Sequence, residues 1–263
     1  MIDRLMPRGL DIAGGPGFTQ LLQSLHLEPT WPTAEGDMSR IEAPESTTVL
    51  AARYKDGVVM IGDRQATEGH SVAHRRMQKV FPTDRFSVVA ISGTAGLAVE
   101  MVRLFQTELE HYEKLEGSRL SLDGKATYLA RMVRQQLPLA FQGLVVVPLF
   151  AGFDEIHQTG RLFTFDVVGG RYEENDFGAT GSGSREARSY LRNRYAPDLE
   201  EAEALQLTME ALVAASEEDV ATAGPDPRRA IFPTVVTVTA SGHDEFDDAR
   251  VEPIASAALE AVR

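Results

Sequence analysis

The pattern of this sequence changes abruptly at Thr47, and that change constrains the fold more than any other feature. From Thr47 to Tyr54 the chain is β-branched and apolar, Lys55-Asp56-Gly57 is a turn signal, and Val58 to Asp63 is a second strand pattern. Two more strand patterns follow at Lys79 to Phe81 and Arg85 to Ile91. The Gly-rich corner Ser92-Gly93-Thr94-Ala95-Gly96 then opens a helix, with Leu97, Met101, Leu104, Phe105, Leu109 and Tyr112 at helical spacing up to Gly117. A second helix is expected from Leu122 to Phe141, with Leu129, Met132, Val133 and Leu137 on its apolar side. Strands return at Leu144 to Phe153, Arg161 to Val167 and Arg171 to Ala179. After Gly181-Ser182-Gly183-Ser184 come helices near Arg185 to Tyr195 and Leu199 to Ala221, a strand at Thr234 to Ala240, and an Ala-rich helix that closes the chain. Runs of strands joined by short turns argue for antiparallel sheets, and paired helices argue for covering layers. The expected fold class is α+β, a four-layer αββα sandwich of two antiparallel sheets flanked by helix pairs.

The first 46 residues read differently. Gly14-Gly15-Pro16-Gly17, Pro29, Pro32 and Pro44 punctuate them, and Phe18, Leu21, Leu22 and Leu25 form one short amphipathic stretch. Residues 1–46 are read either as a loose leader or as a removable pro-segment, with 47–263 as the catalytic domain. Scattered charges at Asp3, Arg4, Arg8, Asp11 and Glu28 leave no continuous apolar core for a secretion signal.

Composition narrows the function by exclusion. A formal charge of −13 works against nucleic acid and anionic membrane as partners. The absence of cysteine removes disulfides, thiolate metal sites and cysteine nucleophiles. No apolar run approaches the ~18 residues of a membrane span, so the expected location is the cytoplasm. Gly181-Ser182-Gly183-Ser184 is not a G-x-S-x-G elbow, no Walker pattern occurs, and the six histidines form no H-E-x-x-H. Neither a cofactor nor a metal is expected.

A threonine hydroxyl is a weak nucleophile unless a base takes its proton, and the threonine's own α-amine is one such base. With an unperturbed pKa of about 8, that amine is partly neutral near physiological pH, but only if the threonine is the first residue. A segment ending just before a strand-initial Thr-Thr therefore has a chemical purpose: it masks the base until it is cut away.

Thr47-Thr48-Val49-Leu50-Ala51, Gly57 to Arg64, Ala66-Thr67, Lys79-Val80, Ser92-Gly93-Thr94-Ala95, Gly181-Ser182-Gly183 and the Asp219 segment together resemble the proteasome β-subunit signature in order and spacing. Glu108 to Gly117 and Gly169-Gly170 are similar to actinobacterial members. The resemblance implies the N-terminal nucleophile hydrolase fold and a threonine endopeptidase of a 20S particle, activated by self-cleavage between Ser46 and Thr47. It implies that Thr47 supplies the nucleophilic Oγ and the α-amine, and that Lys79 lowers the hydroxyl's proton affinity with Asp63 holding it charged. The Gly93 N–H would be the oxyanion donor. Ser182 and Asp219 would orient the amine, joined by Thr222 where the family usually carries serine. Thr67 and Ala95 would grip the substrate backbone as an added strand. Ala66, Met77, Ile91, Ala95 and Val99 match the pocket lining, and their apolar character points to hydrophobic residues before the cut.

Taken singly, Asp63 is an ordinary strand-end aspartate, Lys79 a surface lysine and Ser182 a helix cap; only their joint spacing carries the chemistry. The implied partners are α-subunits and further copies of the chain in seven-membered rings, an ATPase ring docked on the α-subunits, and unfolded substrates bearing a small-protein tag. The sequence departs from the pattern at Ser46, where the family has glycine, and at Thr222-Ala223. The readings weighed against it are a non-catalytic structural ring subunit and the simpler bacterial two-ring ATP-dependent threonine protease.

Overall fold

The computed structural model describes residues 47–68 and 71–262. The chain divides into two units, Met1–Gly36 and Asp37–Arg263, and all the described residues belong to the second. The amphipathic stretch expected at Phe18 to Leu25, the rest of the 1–46 segment and Ser46 lie outside them.

Twelve strands and six α-helices are formed among these residues. The strands are β1 (Thr48–Tyr54), β2 (Gly57–Gly62), β3 (Ala66–Glu68), β4 (Ser71–His74), β5 (Val80–Asp84), β6 (Ser87–Gly93), β7 (Val146–Asp154), β8 (Thr159–Phe165), β9 (Arg171–Glu174), β10 (Phe177–Gly181), β11 (Thr234–Thr239) and β12 (Gly242–Glu245). The helices are α1 (Ala95–Glu116), α2 (Leu122–Gln135), α3 (Leu137–Ala140), α4 (Ser184–Arg194), α5 (Glu201–Glu218) and α6 (Asp248–Ala261). Two five-stranded sheets result, in the orders β10-β1-β2-β11-β12 and β5-β6-β7-β8-β9, all neighbours antiparallel, with β3-β4 as a separate hairpin.

Alternation along each strand sorts the side chains into layers. Val49, Ala51, Val58 and Met60 pack with Val88, Ala90, Leu149 and Leu162 between the sheets. Their neighbours Leu50, Ala52, Val59 and Ile61 face the opposite way, against α4, α5 and α6. Val89, Ile91 and Phe150 likewise pack on Met101, Phe105, Leu129 and Val133 of α1 and α2. Central strands are therefore apolar on both faces, which is why β2 reads as a continuous apolar run. The expected four-layer sandwich is the observed fold.

Three element boundaries differ from expectation. The strand expected over Arg171–Ala179 is two strands in different sheets: β9 pairs with β8, and after Asn175-Asp176 the chain crosses to pair β10 with β1. Periodicity cannot register a change of partner. The helix expected to Phe141 stops at Gln135, because Pro138 has no N–H and its ring clashes one turn back, leaving the short α3. Helix α5 ends at Glu218, and Asp219 is extended (φ −113, ψ 107), which turns it out of the helix. No described helix is long and apolar enough to cross a membrane.

Candidate active site

Thr47 immediately precedes β1 and is 5% exposed. Its carbonyl accepts the Ser182 N–H at 2.9 Å and lies 3.4 Å from the Ser182 hydroxyl. This approach dictates the residue before Ser182. Gly181 has φ +100, and a Cβ there would sit 1.8 Å from the Thr47 carbonyl oxygen, so only glycine lets the two segments meet.

Beneath this junction is a buried ion pair. Asp63, at the end of β2, is 0% exposed and Lys79, just before β5, is 1% exposed. Lys79 Nζ donates to Asp63 Oδ1 at 2.7 Å and also to the Gln65 carbonyl. Oδ1 further accepts the Thr48 N–H at 2.9 Å, while Oδ2 accepts those of Gln65 at 3.0 Å and Ala223 at 3.4 Å. Burial pushes the Lys79 ammonium below its ordinary pKa, with Asp63 opposing it. Burial also pushes the Asp63 carboxyl up, against Lys79 and the backbone donors. With donors on both oxygens, the carboxylate is the form these partners stabilise. The pair thus holds an ammonium from which a proton is unusually easy to remove.

A second polar chain closes the other side. Asp219 Oδ2 accepts the Ser182 hydroxyl at 2.6 Å and the Thr222 hydroxyl at 2.5 Å, while Oδ1 caps the Ala221 N–H. Thr222 Oγ1 lies 2.5 Å from Thr48 Oγ1, which accepts the Gly183 N–H at 2.9 Å. A carboxylate only accepts, so Thr222 donates to Asp219 and the hydrogen bond between the two threonines runs from Thr48 to Thr222. Ser182, Asp219 and Thr222, expected together from sequence, are hydrogen-bonded together.

Gly93 ends β6 at φ +99, where a Cβ would meet the Val145 carbonyl at 2.1 Å. The Ser92 hydroxyl is 2.9 Å from that of Thr180, which joins the end of β6 to β10 just before Gly181. Of the expected pocket residues, Ala66 and Thr67 begin β3, and Ala95 and Val99 lie on the first turns of α1. Ile91 is 2% exposed and packs in the α1–α2 core. Met77 is half-buried beside His74, Arg75, Arg76 and Ile231, around an open groove of about 480 Å³. No group of three His, Asp or Glu among the described residues is placed to hold a metal.

Sequence reading assigned no part to Thr48 or Gln65. Thr48 gives its N–H to Asp63 and its hydroxyl to Thr222, and Gln65 gives its N–H to Asp63 while its carbonyl takes Lys79. Thr48 opens an otherwise apolar run, Val49 to Ala52, and the structure buries its hydroxyl completely. Gln65 acts through its backbone, which no side-chain pattern encodes.

A family model described as proteasome subunit matches residues 44–225. The chain is 53% identical over 249 residues to a proteasome subunit beta of Acidimicrobium ferrooxidans, covering 95% of this chain and 91% of the relative. It is 49% identical over 255 residues to that of Stackebrandtia nassauensis, covering 94% and 91%. To that of Streptomyces griseus it is 53% identical over 220 residues, covering 84% and 78%.

Proposed function

The chain belongs to the proteasome subunit family, and from that premise we propose that it becomes a threonine endopeptidase with Thr47 as its N-terminal nucleophile. One observation supports this reading above the others: two polar systems, Lys79–Asp63 and Ser182–Asp219–Thr222, are each hydrogen-bonded to Thr47 or to the residue beside it.

Residues 1–46 act as the pro-segment. While Ser46 is attached, the Thr47 nitrogen is an amide with no basic lone pair. Thr47 Oγ attacks the Ser46 carbonyl carbon, the C–N bond breaks as the nitrogen takes a proton and becomes the free α-amine, and water then hydrolyses the resulting ester, releasing the pro-segment as its carboxylic acid and regenerating the Thr47 hydroxyl. Lys79, its proton loosened by burial, gives that proton to the departing nitrogen as it takes the one from Oγ, and so ends in the form it began. Serine at 46 makes the strained turn harder to adopt than glycine would, and so slows this cut.

In the mature enzyme the amine takes the Oγ proton as Oγ attacks the scissile carbonyl. The Gly93 N–H receives the developing negative charge. The ammonium then gives its proton to the leaving amine, and a water deprotonated by the same amine releases the acyl group. Ser182, Asp219 and Thr222 orient that amine. Thr67 and Ala95 hold the substrate backbone, and Ala66, Met77, Ile91, Ala95 and Val99 favour a hydrophobic residue before the cut. The working particle joins seven-membered rings of this chain to rings of α-subunits in the cytoplasm, with an ATPase ring feeding unfolded, small-protein-tagged substrates.

Thr47→Ala, co-expressed with its α-subunit, tests the mechanism. The expected product is a folded, uncleaved chain by intact mass, with no hydrolysis of a hydrophobic fluorogenic peptide; wild-type hydrolysis would overturn it. Electron micrographs of the same particles are expected to show seven-fold rings, whereas six-fold rings would favour the simpler two-ring protease.

A further inference from the structure

We propose that Thr48 is a positioning residue for the reaction, a link through its N–H and hydroxyl by which the Lys79–Asp63 pair and the Asp219 chain are held in one geometry, beside the backbone link made by the Ala223 N–H to Asp63. This rests on Thr47 being the nucleophile. Thr48 is 0% exposed, and among the described residues it is hydrogen-bonded to both systems. Its N–H reaches the same Asp63 oxygen that Lys79 contacts, at 2.9 Å. Its hydroxyl is filled on both sides, accepting from the Gly183 N–H and donating to Thr222, whose own proton goes to Asp219.

Hydrogen bonds in a directed chain polarise one another. A Thr222 hydroxyl that accepts from Thr48 is a better donor to Asp219, and it spreads part of that carboxylate's charge away from the site. With the Thr47 amine oriented by Ser182 and Asp219 as proposed above, loss of the Thr48 hydroxyl leaves more carboxylate charge beside that amine. A nearby negative charge favours the ammonium and raises the amine's pKa. Only the neutral amine takes the Oγ proton, so the acid limb of the kcat profile moves to higher pH. The Gly183 N–H loses its acceptor at the same time, which loosens the turn that carries Ser182. Space at the site is narrow: a Cβ on Gly183 would lie 2.7 Å from Thr48 Oγ1 and 2.8 Å from Thr222 Oγ1.

The test compares Thr48→Val, which keeps the shape and loses the hydroxyl, with Thr48→Ser, which keeps the hydroxyl. Both are purified as particles co-expressed with the α-subunit, and Thr48→Ala stands in if the valine does not assemble. Thr48→Val is expected to lower kcat about 10-fold, leave KM within about 2-fold, and move the acid limb up by roughly half a pH unit. Thr48→Ser is expected to restore the wild-type profile. An unchanged profile in Thr48→Val overturns the proposal, as does serine failing as badly as valine. Failure of both hydroxyl-free variants to assemble, with serine normal, also overturns it, since the hydroxyl would then serve folding. Activity in Thr47→Ala would overturn the nucleophile itself; a silent Thr47→Ala beside an unaltered Thr48→Val would sink only the role of Thr48.

Discussion

Among the described residues, one lysine–aspartate pair is wholly buried and another is largely so, and they are built differently. Lys79 and Asp63 meet at 2.7 Å, and the aspartate also takes the backbone N–H groups of Gln65, two residues on, of Thr48 across the β1–β2 hairpin, and of Ala223, 160 positions away. Lys125 and Asp84 meet at 2.5 Å, but Asp84's other partners, Phe86 N–H and the Ser87 hydroxyl, lie on its own β5–β6 hairpin. Side-chain exposures are 1% and 0% in the first pair, 4% and 15% in the second. Burial and charge alone therefore do not mark a site. The first pair stands apart because it is hydrogen-bonded to Thr48, the residue beside Thr47, and to the distant Ala223; the second pins α2 to a hairpin.

Removing one member of each pair should separate these roles. The largest effect is expected for Asp63→Asn, which leaves Lys79 without its carboxylate: kcat on a hydrophobic peptide should fall about 10³-fold. Residual activity within about 3-fold of wild type would reduce the first pair to the status of the second. Lys125→Met should instead cost about 3–5 kcal/mol of stability by stranding Asp84, read from chemical denaturation, while the surviving particle keeps its kcat. Adding Asp84→Asn should recover most of that loss, because a neutral partner removes the stranded charge, whereas Lys79→Met with Asp63→Asn should recover no activity.

The smallest effect concerns a third cluster, on the open edge of the second sheet. Arg161 holds Asp123 and Glu173 below their ordinary carboxylate range by hydrogen bonds. For Asp154, burial raises the carboxyl, but the bonds from His157 and Arg161 outweigh it and leave it lowered. A carboxylate lowered on folding stabilises the fold above its unfolded pKa, and that contribution is lost as pH falls through the folded value. Stability should therefore decline below about pH 4, and Arg161→Met should flatten that decline. A wild-type denaturation midpoint that is level from pH 5 to 3 would count against the cluster.

Much of this was legible before the fold was known, and the exceptions have physical causes. β1, β2, β6 and β11 are strongly patterned because both of their faces are covered by apolar layers. β3 and β4 were not legible. They are short, and β4 is exposed along its whole length, so no face selects apolar residues. At the candidate site, Thr47, Asp63, Lys79, Gly93, Ser182 and Asp219 were singled out by the family resemblance. The hydroxyl chain through Thr48 was not, because Thr48 and Thr222 are 174 positions apart.

By itself, the sequence determined which residue types stand at which positions and where the strand pattern begins, at Thr47. Side-chain type and periodicity are local properties, and they survive without a fold. Tertiary structure alone decided which groups meet. It split Arg171–Ala179 between two sheets, and it turned Asp219 out of α5 onto Ser182 and Thr222. It also required glycine at 181, where the backbone must pass against the Thr47 carbonyl. Each of these depends on contact between distant segments, for which a one-dimensional pattern has no term.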